Sequence, residues 1–170
     1  MSSTAAPKLS PERIFTTLTA YQQAYALKAA IELDLFTAIG EGANEPALLA
    51  KRLKAAERGV RILADYLTVH GFLRKENGKY LLTQESAVFL DRRSPACMGG
   101  MAGFLTSDEN VHRFGMLAES VRKGGTAVGT GDNSKPMDDR WVNFARSMVS
   151  MATPPSPTLP NTPSASLSKP

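Results

Sequence analysis

The residues best suited to chemistry gather in one glycine-rich run, Thr126-Ala127-Val128-Gly129-Thr130-Gly131-Asp132-Asn133, with Asp138 and Asp139 shortly after it. Glycines let a backbone approach a phosphate, and Gly129-Thr130-Gly131 matches the opening of a dinucleotide-binding fingerprint. Ser134 stands where the third glycine belongs, and no apolar strand precedes the run. No lysine–hydroxyl pair completes a nucleotide-triphosphate loop either. The run reads as a connection between helices, and Asp132, Asp138 and Asp139 as helix-start and solvent charges. His70 falls at a helix end and His112 follows acids at a helix start, neither with a nucleophile or metal ligand at a recognisable spacing. Cys97, among Ala96, Met98 and Gly99, reads as a small buried residue. No catalytic, cofactor-binding or metal-ligating residue is assigned.

A second constellation is apolar. Trp141, Phe144, Met148 and Met151 recur three, four and three residues apart, one stripe of a helix that begins near Asp138-Asp139. Such a stripe serves a core, and methionine with aromatics also lines pockets for flat organic molecules. Both readings fit these residues.

The elements that would position them begin at Ser10-Pro11-Glu12, a hydroxyl cap followed by proline at the first helical position and an acid near the positive dipole end. Ile14, Leu18, Tyr21 and Tyr25 then recur at four, three and four. Helical sequence continues through Ala26, Ala29 and Ala30 to Ile31, Leu35, Phe36 and Ile39, closing at Gly40 and Gly42. Apolar residues occupy more than one face, so a partner chain is expected to bury some of them. Asn44 is expected to cap a short helix with Leu48, Leu49 and Leu53, and a second helix runs with Val60, Leu63 and Leu67 to Gly71. Asn77-Gly78 between Leu73-Arg74-Lys75-Glu76 and Lys79-Tyr80-Leu81-Leu82-Thr83 signals a hairpin, because both central residues must take positive φ. Helix, short helix, helix, hairpin is the order of a winged helix-turn-helix. Ser94-Pro95 should open a helix through Met98, Met101, Phe104 and Leu105. Ser107 should open another through Val111, Phe114, Leu117 and Val121, stopping at Gly124-Gly125. The expected fold is mainly α, with a small β-hairpin wing and additional C-terminal helices.

A winged helix invites the hypothesis of a DNA-binding regulator. Its second helix, however, presents Glu57 and Asp65 beside Arg58 and Arg61, and acids there would face phosphate. Asn, Gln and Ser, which read base edges, are absent from that helix. The wing offers Arg74, Lys75 and Lys79, diluted by Glu76. A packing module accounts for the pattern better, and no nucleic-acid partner is expected.

The 170 residues carry a formal charge of +4, spread along the chain. One cysteine excludes an internal disulfide framework and fits a reducing cytoplasm. The start, Met1 to Lys8, has no signal-peptide core, and no segment suggests a membrane span. Six of the eleven prolines fall between Thr153 and Pro170, where Ser and Thr supply little to bury. This stretch is expected to stay out of any core. The expected organisation is a disordered start at 1–9, a winged-helix domain at 10–90, a helical segment at 91–152 and a disordered tail at 153–170.

Four segments in this order resemble a known family. Tyr25-Ala26-Leu27-Lys28-Ala29-Ala30-Ile31-Glu32-Leu33-Asp34-Leu35-Phe36 resembles its opening helical element, and residues Arg61 to Leu73 its second winged-helix segment. Tyr80-Leu81-Leu82-Thr83 is similar to its wing strand and Phe144-Ala145-Arg146-Ser147-Met148 to its pre-catalytic helix. The family is the dimeric, S-adenosylmethionine-dependent small-molecule O-methyltransferases, and the resemblance spans residues 10 to 152. It implies a homodimer through the winged helix, with Ile14, Leu18, Tyr21, Leu27 and Ile31 at the interface. It also implies that Trp141, Phe144, Met148, Tyr21 and Tyr25 line an acceptor pocket. The family continues into a Rossmann-type domain that holds S-adenosylmethionine and a histidine base. Nothing in this sequence matches that domain, so the chain is expected to bind no cofactor and to be inactive alone. A small-molecule acceptor is expected only where a catalytic domain is present. The Pro/Ser/Thr tail begins where that domain would, as a shifted reading frame of a GC-rich gene would produce.

Overall fold

The computed structural model describes residues 9–127. The glycine run beyond Ala127, the helix of Trp141, Phe144, Met148 and Met151, the tail, and all but the last residue of the 1–9 start lie outside them.

α1 runs Glu12–Glu32. Its start follows the expected signal one residue later. The Ser10 hydroxyl accepts from the Glu12 amide at 3.2 Å, while Pro11 itself takes the cap position and its carbonyl accepts from Ile14 and Phe15. The helical stretch read as continuous to Ile39 is broken. Asp34 adopts a left-handed backbone with φ of 63°, and α2 restarts at Leu35–Gly40. Leu35 through Ile39 are all buried there, so the break turns a short, mostly apolar helix into the core, with Thr37 its one polar side chain.

α3 (Pro46–Leu53) and α4 (Glu57–Val69) form the helix-turn-helix, with left-handed Lys54 making the turn. Asn44 does not cap α3. Glu45 takes that position, with Pro46 in the first turn, and the Asn44 carbonyl instead accepts from the Tyr80 amide at 2.8 Å. β1 (Leu73–Glu76) and β2 (Lys79–Leu82) pair antiparallel, Leu73 opposite Leu82 and Glu76 opposite Lys79. Asn77 and Gly78 take φ of 50° and 80°, the two positive values that a tight hairpin requires. Leu73 and Tyr80 point inward and complete a core of Leu35, Phe36, Leu49, Val60 and Leu67.

A helix follows that was not foreseen, α5 (Gln84–Phe89). Thr83, read as the end of a strand, is its cap: the hydroxyl accepts from the Ser86 amide at 3.3 Å. The Ser86 hydroxyl in turn donates to the Phe72 carbonyl at 2.6 Å, tying α5 to the root of the wing. Ser94-Pro95 opens a turn and no helix. The Met98 amide is drawn back to the Phe89 carbonyl at 2.9 Å, and α6 begins only at Gly100–Leu105. Cys97 is half-buried there rather than buried. Ser107 caps α7 (Asp108–Gly115) as expected, accepting from the Asn110 amide at 3.4 Å. The single helix read from Ser107 onward divides after Gly115, and α8 (Leu117–Lys123) ends at left-handed Gly124.

Candidate functional site

The feature with the strongest functional content is α1. Residues 12 to 25 are each exposed, touching the body at Gln23, and from Ala26 onward the helix sinks against it. At roughly 1.5 Å per residue those fourteen residues make an arm about 21 Å long. On it Ile14, Leu18, Tyr21 and Tyr25 are 64, 67, 61 and 42% exposed, with Phe15 beside them. Their spacing places all four on one stripe.

The opposite face of α1 meets the chain's own body. Gln23 Nε2 lies 3.0 Å from His70 Nδ1 at the end of α4, and the His70 ring rests against Tyr66 with centroids 4.3 Å apart. Ala30 is buried, and Leu27 and Ile31 are packed against the core. Of the five residues expected at an interface, the structure therefore exposes Ile14, Leu18 and Tyr21 and turns Leu27 and Ile31 toward their own domain. Tyr21 and Tyr25, expected near a pocket, are on the exposed stripe. Trp141, Phe144 and Met148 lie outside the described residues.

The arm's root is held by polar contacts that composition alone does not reveal. Lys28 Nζ donates to the Thr106 carbonyl at 3.3 Å, anchoring α1 to the end of α6. Arg92 Nε pairs with Asp34 Oδ1 at 3.1 Å, and the Arg92 amide donates to the Thr37 hydroxyl at 3.1 Å. Buried Asp91 accepts from Arg93 Nη2 at 2.6 Å and Nε at 3.1 Å. The Arg93 guanidinium holds the Asp91 carboxyl below the usual aspartate range despite burial.

The helix-turn-helix face is differently engaged. Lys75 Nζ reaches Asp65 Oδ1 at 2.5 Å, and buried Tyr80 donates to the same oxygen at 2.8 Å. Lys79 pairs with Glu45 at 3.1 Å and Arg74 with Glu76 at 3.0 Å. Every cation of the wing thus already faces a carboxylate. Among the described residues no three His, Cys, Asp or Glu side chains form a metal-binding group, and no helix is long and apolar enough to cross a membrane.

A seat for S-adenosylmethionine does not emerge from the described residues. The buried acid Asp91 is clasped by Arg93, and the one described sheet is a two-stranded hairpin whose Asn77-Gly78 turn leads into a strand rather than a helix.

Comparison with known proteins identifies the fold. Residues 15–92 match the family model of the O-methyltransferase dimerisation domain. No curated protein matches the chain. Among solved structures, a protein assigned as an O-methyltransferase from Nostoc punctiforme PCC 73102 is similar at 41% identity and a TM-score of 0.78, over 85% of this chain and 43% of that one. Human N-acetylserotonin methyltransferase, crystallised with S-adenosylmethionine, is similar at 21% identity and a TM-score of 0.64, over 87% of this chain and 44% of that one. The riboflavin-derivative dimethyltransferase RosA of Streptomyces davawensis gives 22% identity and a TM-score of 0.65, over 85% and 45%. At these lower identities the last two show a shared fold. The chain spans less than half the length of each of the three. Its winged helix, residues 15–92, is a dimerisation domain of the O-methyltransferase family.

Proposed function

We propose that this chain forms a homodimer through the exposed stripe of α1, and that it serves an enzyme class which transfers a methyl group from S-adenosylmethionine to a hydroxyl of a small molecule. One observation carries the assembly: Ile14, Leu18, Tyr21 and Tyr25 form an exposed stripe on the helical arm. A free apolar arm of this kind costs solubility unless a partner buries it. Residues 10–90 supply the dimerising module and 91–152 a helical connection toward the catalytic part of the family. Tyr21, Tyr25, Trp141, Phe144 and Met148 are our candidates for the acceptor side, and the cytoplasm is the compartment that one unpaired cysteine suits. The engaged wing cations support assembly over duplex binding.

Light scattering on the 170-residue protein at tens of micromolar tests the assembly. The expected mass is twice the chain's 18.3 kDa, and a monomer would overturn it. Titration calorimetry with S-adenosylmethionine tests the division of labour. We expect no heat of binding, whereas micromolar affinity would place the donor site in this chain.

A further inference from the structure

At its last described residues the chain reverses direction. α8 closes in left-handed Gly124, the Gly125 amide donates to the Ser120 carbonyl at 3.1 Å, and the Ala127 amide donates to the Ser120 hydroxyl at 3.0 Å. Ala127 thus lies beside a residue one turn before the helix end. Ser120 stands about 60° around the helix from Leu117 and about 100° from Val121. The returning chain therefore flanks an apolar stripe, Val111, Phe114, Leu117 and Val121, whose members are all exposed. No residue of α7 or α8 is buried, although helices of eight and seven residues are too short to persist on their own propensity.

We propose that residues 138–152, which lie outside the described residues, cover this stripe, packed as a helix antiparallel to α7 and α8. Val121 then faces Trp141, Phe114 faces Met148, and Val111 faces Met151.

Three observations choose this occupant and this direction. The stripes match in length. Val111 to Val121 and Trp141 to Met151 each run ten residues with four large apolar side chains, so each can bury the other from end to end. The connection also fits. Ten residues, 128–137, join Ala127 to Asp138 with Gly129 and Gly131 among them, and they reach up to about 33 Å. Charge then sets the direction. In the antiparallel arrangement Asp138 and Asp139 meet Arg122 and Lys123 in the last turn of α8. A parallel one would set them against Asp108 and Glu109 in the first turn of α7, acid against acid.

The inference goes beyond the reading above, in which Trp141, Phe144 and Met148 are candidates for the acceptor side. While the hairpin is shut those side chains are closed to a small molecule, so a docked stripe and an open pocket are alternative states of one surface.

Disulfides within the chain read the contact. In a Cys97→Ala background, Val111→Cys/Met151→Cys joins facing positions, which packed helices bring within the roughly 4–7 Å that a disulfide spans. Mild oxidation should consume both thiols while the protein keeps the mass of a single chain on a non-reducing gel. Val111→Cys/Trp141→Cys should keep its thiols, because its second position lies about 15 Å away along the docked helix. Closure of this second pair, closure of neither pair, or a bond between two chains each overturns the proposal, the last by giving the stripe to a second copy. Trp141, the only tryptophan of the chain, supplies a further readout without cysteines. Its emission should lie to the blue of free tryptophan and move to the red in Val121→Asp, with the thermal transition verifying that the winged helix stays folded. Identical emission from parent and variant overturns the docking. The hairpin leaves the mass of the protein unchanged, so the homodimer stands or falls apart from it.

Discussion

Tyr80 donates to Asp65 Oδ1 at 2.8 Å from a wholly buried ring, and Lys75 reaches the same oxygen from the other wing strand at 2.5 Å. The wing is thereby locked onto α4 by a carboxylate shared between both strands. Replacing Tyr80 with Phe keeps the ring's packing and removes two charge-assisted hydrogen bonds, the one donated to Asp65 and the one accepted from Lys75 at 3.2 Å. Such bonds contribute roughly 1.5–3 kcal/mol, and Lys75 remains on Asp65, so a loss of about 1–2 kcal/mol is expected in urea unfolding. A Tyr80→Phe variant as stable as the parent would show that the lock contributes little.

Acid should weaken the fold through Asp91 and Asp65, whose carboxyls are held below the ordinary value of 3.8 by Arg93 and by Lys75 with Tyr80. A depressed folded value gives stability that is present above the unfolded value and lost as pH falls through the folded one. The expected outcome is a decline that begins below about pH 4 and is shallower in Asp91→Asn, which is also less stable at neutral pH. Base acts in the opposite sense. Burial and Asp65 raise the Tyr80 hydroxyl above 10.0, and Asp65 raises Lys75 above 10.5. Their contribution is full below those values and fades as pH climbs past them. Unfolding midpoints across both limbs provide the check.

Two glycines should respond oppositely to the same change. A Cβ on Gly40 would strike Arg93 Nη2 and Asp91 Oδ2, the clasp beside the end of α2. Gly59 in α4 has nothing within 4 Å of its would-be Cβ. Gly40→Ala should therefore cost about 1–3 kcal/mol through crowding. Gly59→Ala should gain about 0.5–1 kcal/mol through helix propensity. Paired thermal denaturation decides it, and equal shifts would contradict the clasp.

Leu18→Glu places a charge at the centre of the arm's stripe without touching the core. It should abolish the dimer while leaving the helical circular dichroism intact, because Leu18 is 67% exposed within its own chain. Sedimentation of the variant at tens of micromolar should give the monomer mass. A persisting dimer would move the interface elsewhere, to Phe114, Leu117 and Val121 on α7 and α8, which are also exposed.

The elements legible in advance were those with an unambiguous local signal. Asn77-Gly78 admits few backbones, and Ser107 before two acids caps one helix start. The features that escaped depend on tertiary partners. Thr83 fits a strand end and a helix cap equally well until Ser86 is seen to bond the Phe72 carbonyl. Asn44 looked like a cap because its side chain suits one, yet its backbone was required by Tyr80. The break at Asp34 was hidden in a helical pattern, since its left-handed turn is held by Arg92, far away in sequence. The stripe was legible from spacing, but periodicity could not separate the exposed Ile14, Leu18 and Tyr21 from the inward Leu27 and Ile31. That distinction depends on where the arm leaves the body.

The polar clasp at that point has a mechanical consequence. An arm about 21 Å long magnifies any change at its base: a tilt of about 10° carries the tip by about 4 Å, most of one helical turn. Arg92 on Asp34 and Lys28 on the Thr106 carbonyl sit at the pivot of this lever. A few hydrogen bonds at the root of the arm thus set the aim of whatever contact its tip makes.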